Sequence, residues 1–174
     1  MEKYRMLENI RAHSVVVTKI ARLIARGLRD VGMDISIEKT TAGALLHDIG
    51  KTLSLKSGGD HSMMGKQICL DNHLYEIADI VGEHVRMKDY DLNGNYSEKE
   101  IVFYADKRVN HDKIVSLEER LAYILERYAL NKEGVSRAIR MNFELCRKVE
   151  ERLLGRLNID PDGLSDLIEH EEIV

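Results

Sequence analysis

His47 and Asp48 stand side by side after the apolar run Ala44-Leu45-Leu46, with Gly50 and Lys51 just beyond. A neutral imidazole beside a carboxylate can hold one divalent ion, or bind one ion through the ring while the carboxylate bridges to a second. Neighbours on a helix point about 100° apart, so the pair closes around a metal only if other elements supply further ligands. The chain offers His13, His61, His84 and Asp106, each beside an apolar stretch. Taken singly, an inward histidine is more often a hydrogen-bonded core residue than a ligand. Asp106 follows Ile101-Val102-Phe103-Tyr104-Ala105 and needs a cation, hydrogen bonds or a metal once buried, with Lys107 and Arg108 as the plainer partners. The recurrence of such residues on five successive expected helices calls for one explanation, and a metal centre supplies it.

The elements that must position them follow from a helical hydrophobic period running through most of the chain, with a single Pro and no strand alternation. An all-α fold is expected. The first helix spans about Glu2 to Arg29, with Ile10, Val17, Ile20, Ile24 and Leu28 on its stripe and His13 beside it. A second opens at Ser36 as N-cap and runs through the small residues Ala42-Gly43-Ala44, which admit a close neighbour, to His47-Asp48 and a stop at Gly50. Lys51 then emerges past the helix end, where it meets the terminal carbonyls or a substrate phosphate.

Leu55 to Asp60 reads as a mobile surface loop, with Asp60 capping a helix that begins at His61. Helices follow at about Leu74 to Val85, leading to His84, and from the capping box Ser97-x-x-Glu100 to Asp106. His73 reads as a turn residue. Two amphipathic helices, about Leu117 to Leu130 and Val135 to Leu157, complete the set, followed by a turn at Asp160 to Gly163 and an acidic, solvated end around His170 to Glu172.

At 174 residues the chain suits one domain with a real core. No apolar run approaches the ~20 residues that span a bilayer, and the charged N-terminus is not a secretory signal, so a cytoplasmic location without membrane contact is the expectation. Cys69 and Cys146 lack metal or redox spacing and read as reduced core residues. Net charge is -4 and the basic residues are spread over helical faces, which argues against binding a nucleic-acid polymer.

With His13, His47-Asp48, His61-x-x-x-Gly65, Glu83-His84 and Asp106 in place, the sequence resembles the HD superfamily of metal-dependent phosphohydrolases, in its His-Asp-Ile-Gly subgroup. The resemblance covers roughly Ile10 to Val109. It implies an HD-domain helical bundle over residues 1–115, with residues 116–174 as a C-terminal helical extension packed on the same domain. It implies His13, His47, Asp48 and Asp106 as the metal set, His61 and His84 as ligands of a second ion, Asp48 as the bridge, and Lys51 near the substrate phosphate. Val85-Arg86-Met87 follows His84, without a second His or a Gly-Tyr-Pro, so the cyclic di-GMP hydrolases of the HD-GYP branch are not matched. The His-Thr-Thr-Gly run of HD-type dinucleoside tetraphosphate hydrolases is also missing.

The chemistry expected is hydrolysis of a small phosphoester, a nucleotide or related phosphorylated metabolite, by attack of a metal-activated water. Nitrogen-rich ligation suits one or two ions of Mn, Fe, Co, Ni or Zn. The rival expectation is a regulatory, nucleotide-binding HD module, and the terminal helices leave room for a homodimer. Separately, Asp89-Tyr90-Asp91-Leu92-Asn93-Gly94 with Glu100 at the twelfth position fits a calcium-loop spacing, which would place Ca in residues 89–100. Ordinary turns favour the same residues.

Overall fold

The computed structural model describes residues 1–169, so the acidic end around His170 to Glu172 lies outside the described residues. A 3-10 turn at Glu2–Tyr4 ends with Arg5 in the left-handed region, φ 48°. The first long helix, α1 (Glu8–Asp30), therefore starts later than its period suggests. Val17, Ile20, Ile24 and Leu28 are fully buried along it, together with Ala21 and Ala25.

Six helices make the body: α1, α2 (Ile37–Leu46), α3 (Lys51–Ser57), α4 (His61–Asp71), α5 (Tyr75–Glu83) and α6 (Glu98–Lys107). Their starts are set by short polar side chains. Ser36 Oγ accepts from Lys39 N, Asp60 from Ser62 N, and Ser97 and Glu100 form a reciprocal capping box on α6. Ile101, Val102, Phe103, Tyr104 and Ala105 of α6 are all fully buried, the mark of a helix enclosed by others; α1, α2, α5 and α8 (Glu133–Leu157) surround it.

Of the loop expected over Leu55 to Asp60, the first three residues belong to α3, which leaves only a short connection to Asp60. Gly50 is not a left-handed stop either: its φ is -79°. A Cβ there would lie 2.3 Å from the His61 carbonyl oxygen and 2.6 Å from Gly65 N, so glycine is required for α4 to approach the turn. Gly43 plays the expected part between helices, since a Cβ on it would meet Ile80 of α5 at 2.5 Å.

A two-stranded antiparallel hairpin, β1 (Val109–Asn110) and β2 (Lys113–Ile114), follows α6 and pairs Val109 with Ile114. Strands this short carry no alternation to read. His111 turns the hairpin at φ 56°. Beyond it come α7 (Leu117–Tyr128), α8 and α9 (Leu164–Ile168). Phe143, Cys146, Val149 and Leu153 of α8 are buried, and α8 packs on α1 and α6. Arg108 ties these parts together, donating to Glu150 Oε2 (2.9 Å) and to the Pro161 carbonyl (2.9 Å) while the Tyr104 hydroxyl donates to the same carboxylate oxygen at 2.7 Å. Among the described residues no helix is long and apolar enough to cross a membrane.

Candidate metal centre

The six residues expected as ligands converge. His13 comes from α1, His47 and Asp48 from the turn after α2, His61 from the first position of α4, His84 from the end of α5, and Asp106 from the last turn of α6. The turn carrying His47-Asp48-Ile49-Gly50 is closed by bonds of the tighter i to i+3 type, Ile49 N to Leu46 O and Lys51 N to Asp48 O, both 2.9 Å. It is therefore a bend between two helices, and not a helix end facing solvent.

Backbone carbonyls fix three of the rings. His13 Nδ1 donates to His111 O at 2.8 Å, His47 Nδ1 to Ala44 O at 2.7 Å, and His84 Nδ1 to Val81 O at 2.6 Å. Each ring then presents Nε2, with its lone pair, to the interior. Those nitrogens face carboxylate oxygens: His13 Nε2 is 3.0 Å from Asp106 Oδ1, His47 Nε2 is 3.6 Å from Asp106 Oδ1 and 3.7 Å from Asp48 Oδ2, and His84 Nε2 is 3.6 Å from Asp48 Oδ1. His61 Nε2 is 3.3 Å from Asp48 Oδ1 and 3.2 Å from His84 Nε2.

Lone pairs aimed at anionic oxygens repel unless a cation lies among them. Donors each about 2.0–2.2 Å from one ion stand about 3.0 Å apart at a right angle and about 3.4 Å apart at the tetrahedral angle, close to the separations seen. Two groups satisfy this crowding, His13-His47-Asp48 and Asp48-His61-His84, and they share Asp48. His47 Nε2 and Asp48 Oδ1 are buried without a hydrogen-bond partner among the described residues, a cost that coordination removes. The residues fit a divalent metal.

Burial pushes the His47 pKa down to about 3, so the ring is the neutral form a metal needs. Burial opposes ionisation of Asp48, yet the carboxyl is held well below the usual range, with the Lys51 ammonium 2.8 Å from Oδ2. Asp106 is likewise held low, against burial, chiefly by Lys107 and the neighbouring histidines. Both carboxylates are thus anionic at neutral pH.

The sequence profile of the HD domain matches residues 10–111. The chain belongs to the HD-domain family. HD domains bind divalent metals, and the two donor groups of this HD domain are where that chemistry is available. An uncharacterized protein of Methanocaldococcus jannaschii is 27% identical over 153 residues, covering 79% of this chain and 88% of that protein. The ribonuclease Y of Sulfurovum sp. is 32% identical over 146 residues, 80% of this chain and 27% of that protein. The ribonuclease Y of Thermosipho melanesiensis is 41% identical over 61 residues, 35% of this chain and 11% of that protein. The chain thus spans less than a third of either ribonuclease Y. No solved structure matches it.

Around the centre of this HD domain, Lys51 opens α3 and its Nζ donates to Asp48 Oδ2 at 2.8 Å. Lys107 is buried, and burial lowers its pKa; its Nζ donates to the His84 carbonyl and to Asp106 Oδ2 at 3.2 Å. A cleft of about 590 Å³ opens over His13, Asp48, His61 and Asp106 and is closed on the far side by α7 and the start of α8. Two contributors there leave little or no mark in the sequence. The His111 carbonyl orients His13 but gives no side-chain signal. Arg120 also lines the cleft, and its only signal is a charge on the stripe shared with Leu117 and Ile124 of α7.

The calcium spacing of residues 89–100 is organised around an arginine instead. Arg152 of α8 donates to Glu100 Oε2 (3.2 Å), to the Tyr90 hydroxyl (3.1 Å) and to the Gly94 carbonyl, and its guanidinium lies 4.2 Å from the Tyr96 ring centroid. Glu100 also accepts from Ser97 N at 2.8 Å and from the Tyr90 hydroxyl. Among the described residues, Asp89, Asp91 and Glu100 form no metal-sized group. A guanidinium supplies the charge a calcium ion would bring, and the calcium expectation is withdrawn. His73 sits in a turn at φ 60°, with its ring against the Tyr75 hydroxyl. Cys69 and Cys146 are buried free thiols, pushed up by burial to about 11 and about 12, and so are not nucleophiles.

Proposed function

We propose that this HD domain hydrolyses a small phosphoester, a nucleotide or related phosphorylated metabolite, with two divalent ions of Mn, Fe, Co, Ni or Zn held by His13, His47, Asp48 and Asp106 on one side and Asp48, His61 and His84 on the other. The observation that carries the reading is the shared position of Asp48, whose buried Oδ1 faces His61 and His84 while its Oδ2 faces His47. Bound there, such ions polarise a phosphoryl oxygen and provide a nucleophile at neutral pH.

The protein's own part is positional. Carbonyl-anchored rings of His13, His47 and His84 would offer their Nε2 lone pairs to the ions, and Lys107 holds Asp106 by its second oxygen. Lys51, anchored on Asp48, keeps N–H donors for the substrate phosphate as a point charge. The cleft volume falls within the range of about 300–1,000 Å³ common for small-molecule sites.

Metal analysis of the purified chain, followed by a phosphate-release screen over nucleotides and sugar phosphates with Mn, Co or Ni, tests this reading. Turnover that EDTA abolishes and added metal restores is the expected result; bound metal without turnover of any phosphoester favours a regulatory nucleotide-binding module. The likeness to ribonuclease Y favours one further reading, cleavage of an RNA phosphodiester. A short oligoribonucleotide in the same screen decides it.

A further inference from the structure

The wall of the cleft opposite the ligands is built from α7 and the start of α8, beyond residue 111 where the family match ends. Its chemistry is divided. Tyr123, Ile124, Ile139 and Phe143 give an aromatic and aliphatic surface, and Arg120 gives a cation at the end nearest Asp106.

Arg120 is held but not used up. Its side chain is only 12% exposed, Nη1 donates to Asn110 Oδ1 at 3.0 Å, and Nη2 stands 4.0 Å from Asp106 Oδ1, beyond hydrogen-bond reach. Nε is buried and has no hydrogen-bond partner among the described residues. With Nη1 on Asn110 and Nη2 short of Asp106, the guanidinium at the cleft wall keeps donors for an anionic ligand. Lys51 and Lys107 each rest on a carboxylate, Lys51 on Asp48 and Lys107 on Asp106 and the His84 carbonyl, whereas Nη2 of Arg120 does not. Tyr123 is braced beside Arg120. The guanidinium carbon is 5.7 Å from its ring centroid, and the His111 ring stands edge-on at 5.4 Å.

A planar fork fits two phosphate oxygens at once, and a rigid aromatic and aliphatic surface fits a flat organic group. We propose that Arg120 clamps the substrate phosphate over the metal centre while Tyr123, Ile124, Ile139 and Phe143 seat a nucleobase, so that the C-terminal helices select a nucleoside monophosphate. This deepens the phosphohydrolase reading and rests on it for the reaction, whereas the binding roles are testable without turnover.

Calorimetric titration of inorganic phosphate into the manganese-loaded full chain isolates the clamp. Arg120→Gln weakens phosphate binding by about 10-fold or more, the equivalent of one charge-assisted contact, with metal content and melting temperature as in wild type. Arg120→Lys keeps the charge and loses the fork; it binds phosphate at an intermediate strength and serves if Arg120→Gln does not fold. Adenosine 5′-monophosphate against ribose 5-phosphate isolates the apolar wall, read as kcat/KM if there is turnover and as dissociation constants if there is none. The nucleotide is preferred about 10-fold or more, and Tyr123→Ala removes most of that preference without changing phosphate affinity. Phosphate binding unchanged in both Arg120 variants overturns the clamp. Equal handling of the two esters, or preference for an oligoribonucleotide over both, overturns the nucleoside monophosphate assignment. Absence of turnover with these binding differences intact counts against the phosphohydrolase reading alone.

Discussion

The carbonyl oxygen of His111 accepts a hydrogen bond from His13 Nδ1 across 2.8 Å, so a two-stranded hairpin after α6 sets the ring orientation of a candidate ligand near the start of α1. That contact fixes the tautomer and leaves Nε2 for metal, which makes the hairpin turn part of the centre. His111 pays for this with a positive φ of 56°. Asn tolerates that conformation, while a β-branched side chain there is strained. His111→Asn is expected to keep the stability and metal affinity of wild type within small margins. His111→Val is expected to lose about 1–2 kcal/mol and about 10- to 100-fold in metal affinity through the displaced carbonyl. Urea unfolding and metal titration of the two variants check this, and equal affinities would show that the hairpin does not set the ring.

Because Asp48 belongs to both donor groups, its loss differs in kind from the loss of a peripheral ligand. Asp48→Asn removes an anionic oxygen from each group and is expected to weaken both ions by about 100-fold or more, since even outer-shell changes cost 10- to 100-fold. His84→Ala strips only the group containing His61. Metal content after dialysis is expected near zero for the first variant and at one ion per chain for the second. Identical stoichiometry in both would contradict a shared carboxylate.

Much of this centre was legible before the structure. His47-Asp48 is local in sequence, His13 and His84 lie near apolar helix stripes and Asp106 follows an apolar run, which points these inward, whereas His61 is marked only as the start of its helix. Ser36, Asp60 and Ser97-Glu100 marked helix starts, since a cap acts within one turn. What escaped depends on contacts between distant segments. Gly50 looked like a stop, yet its need for no side chain comes from α4. The 89–100 loop had calcium spacing, but Arg152, more than fifty residues later, holds it. Arg120 is unremarkable in composition and informative only once α7 is folded over the ligands.

The metal-free protein should be sensitive to mild acid. The folded pKa of His47 is about 3 against an ordinary value of 6.5, so between these values the unfolded chain carries a proton that the folded chain does not. Stability therefore rises with pH across that window and is lost as pH falls below about 6.5; this group alone contributes a loss of about 2 kcal/mol between pH 7 and pH 5. Asp48 and Asp106, whose pKa values are depressed, keep their contribution above the ordinary carboxylate value and lose it only at lower pH. Urea unfolding of EDTA-treated protein at pH 7, 6 and 5 measures the effect, and His47→Gln removes this group's share of it. A flat profile from pH 7 to 5 would mean that the imidazole takes up its proton in the folded state.

Gly50 links packing to the second donor group. Its missing side chain lets the first turn of α4 lie against the bend after α2, which brings His61 Nε2 to 3.3 Å from Asp48 Oδ1. A methyl group at Gly50 meets backbone atoms, the His61 carbonyl and Gly65 N, which cannot swing aside as a flexible side chain can. Gly50→Ala must therefore push α4 away, at a cost of about 1–3 kcal/mol for overpacking, and it draws His61 off Asp48. Gly134, in the first turn of α8, has open space where its Cβ would be. Gly134→Ala is expected to stabilise by about 0.4–1 kcal/mol through the unfolded chain. The paired measurement is melting temperature with metal content: Gly50→Ala should melt lower and hold one ion fewer, while Gly134→Ala should melt slightly higher with metal unchanged. If Gly50→Ala kept full metal content despite its lost stability, α4 would be free to shift without His61, and the second donor group would not depend on this contact.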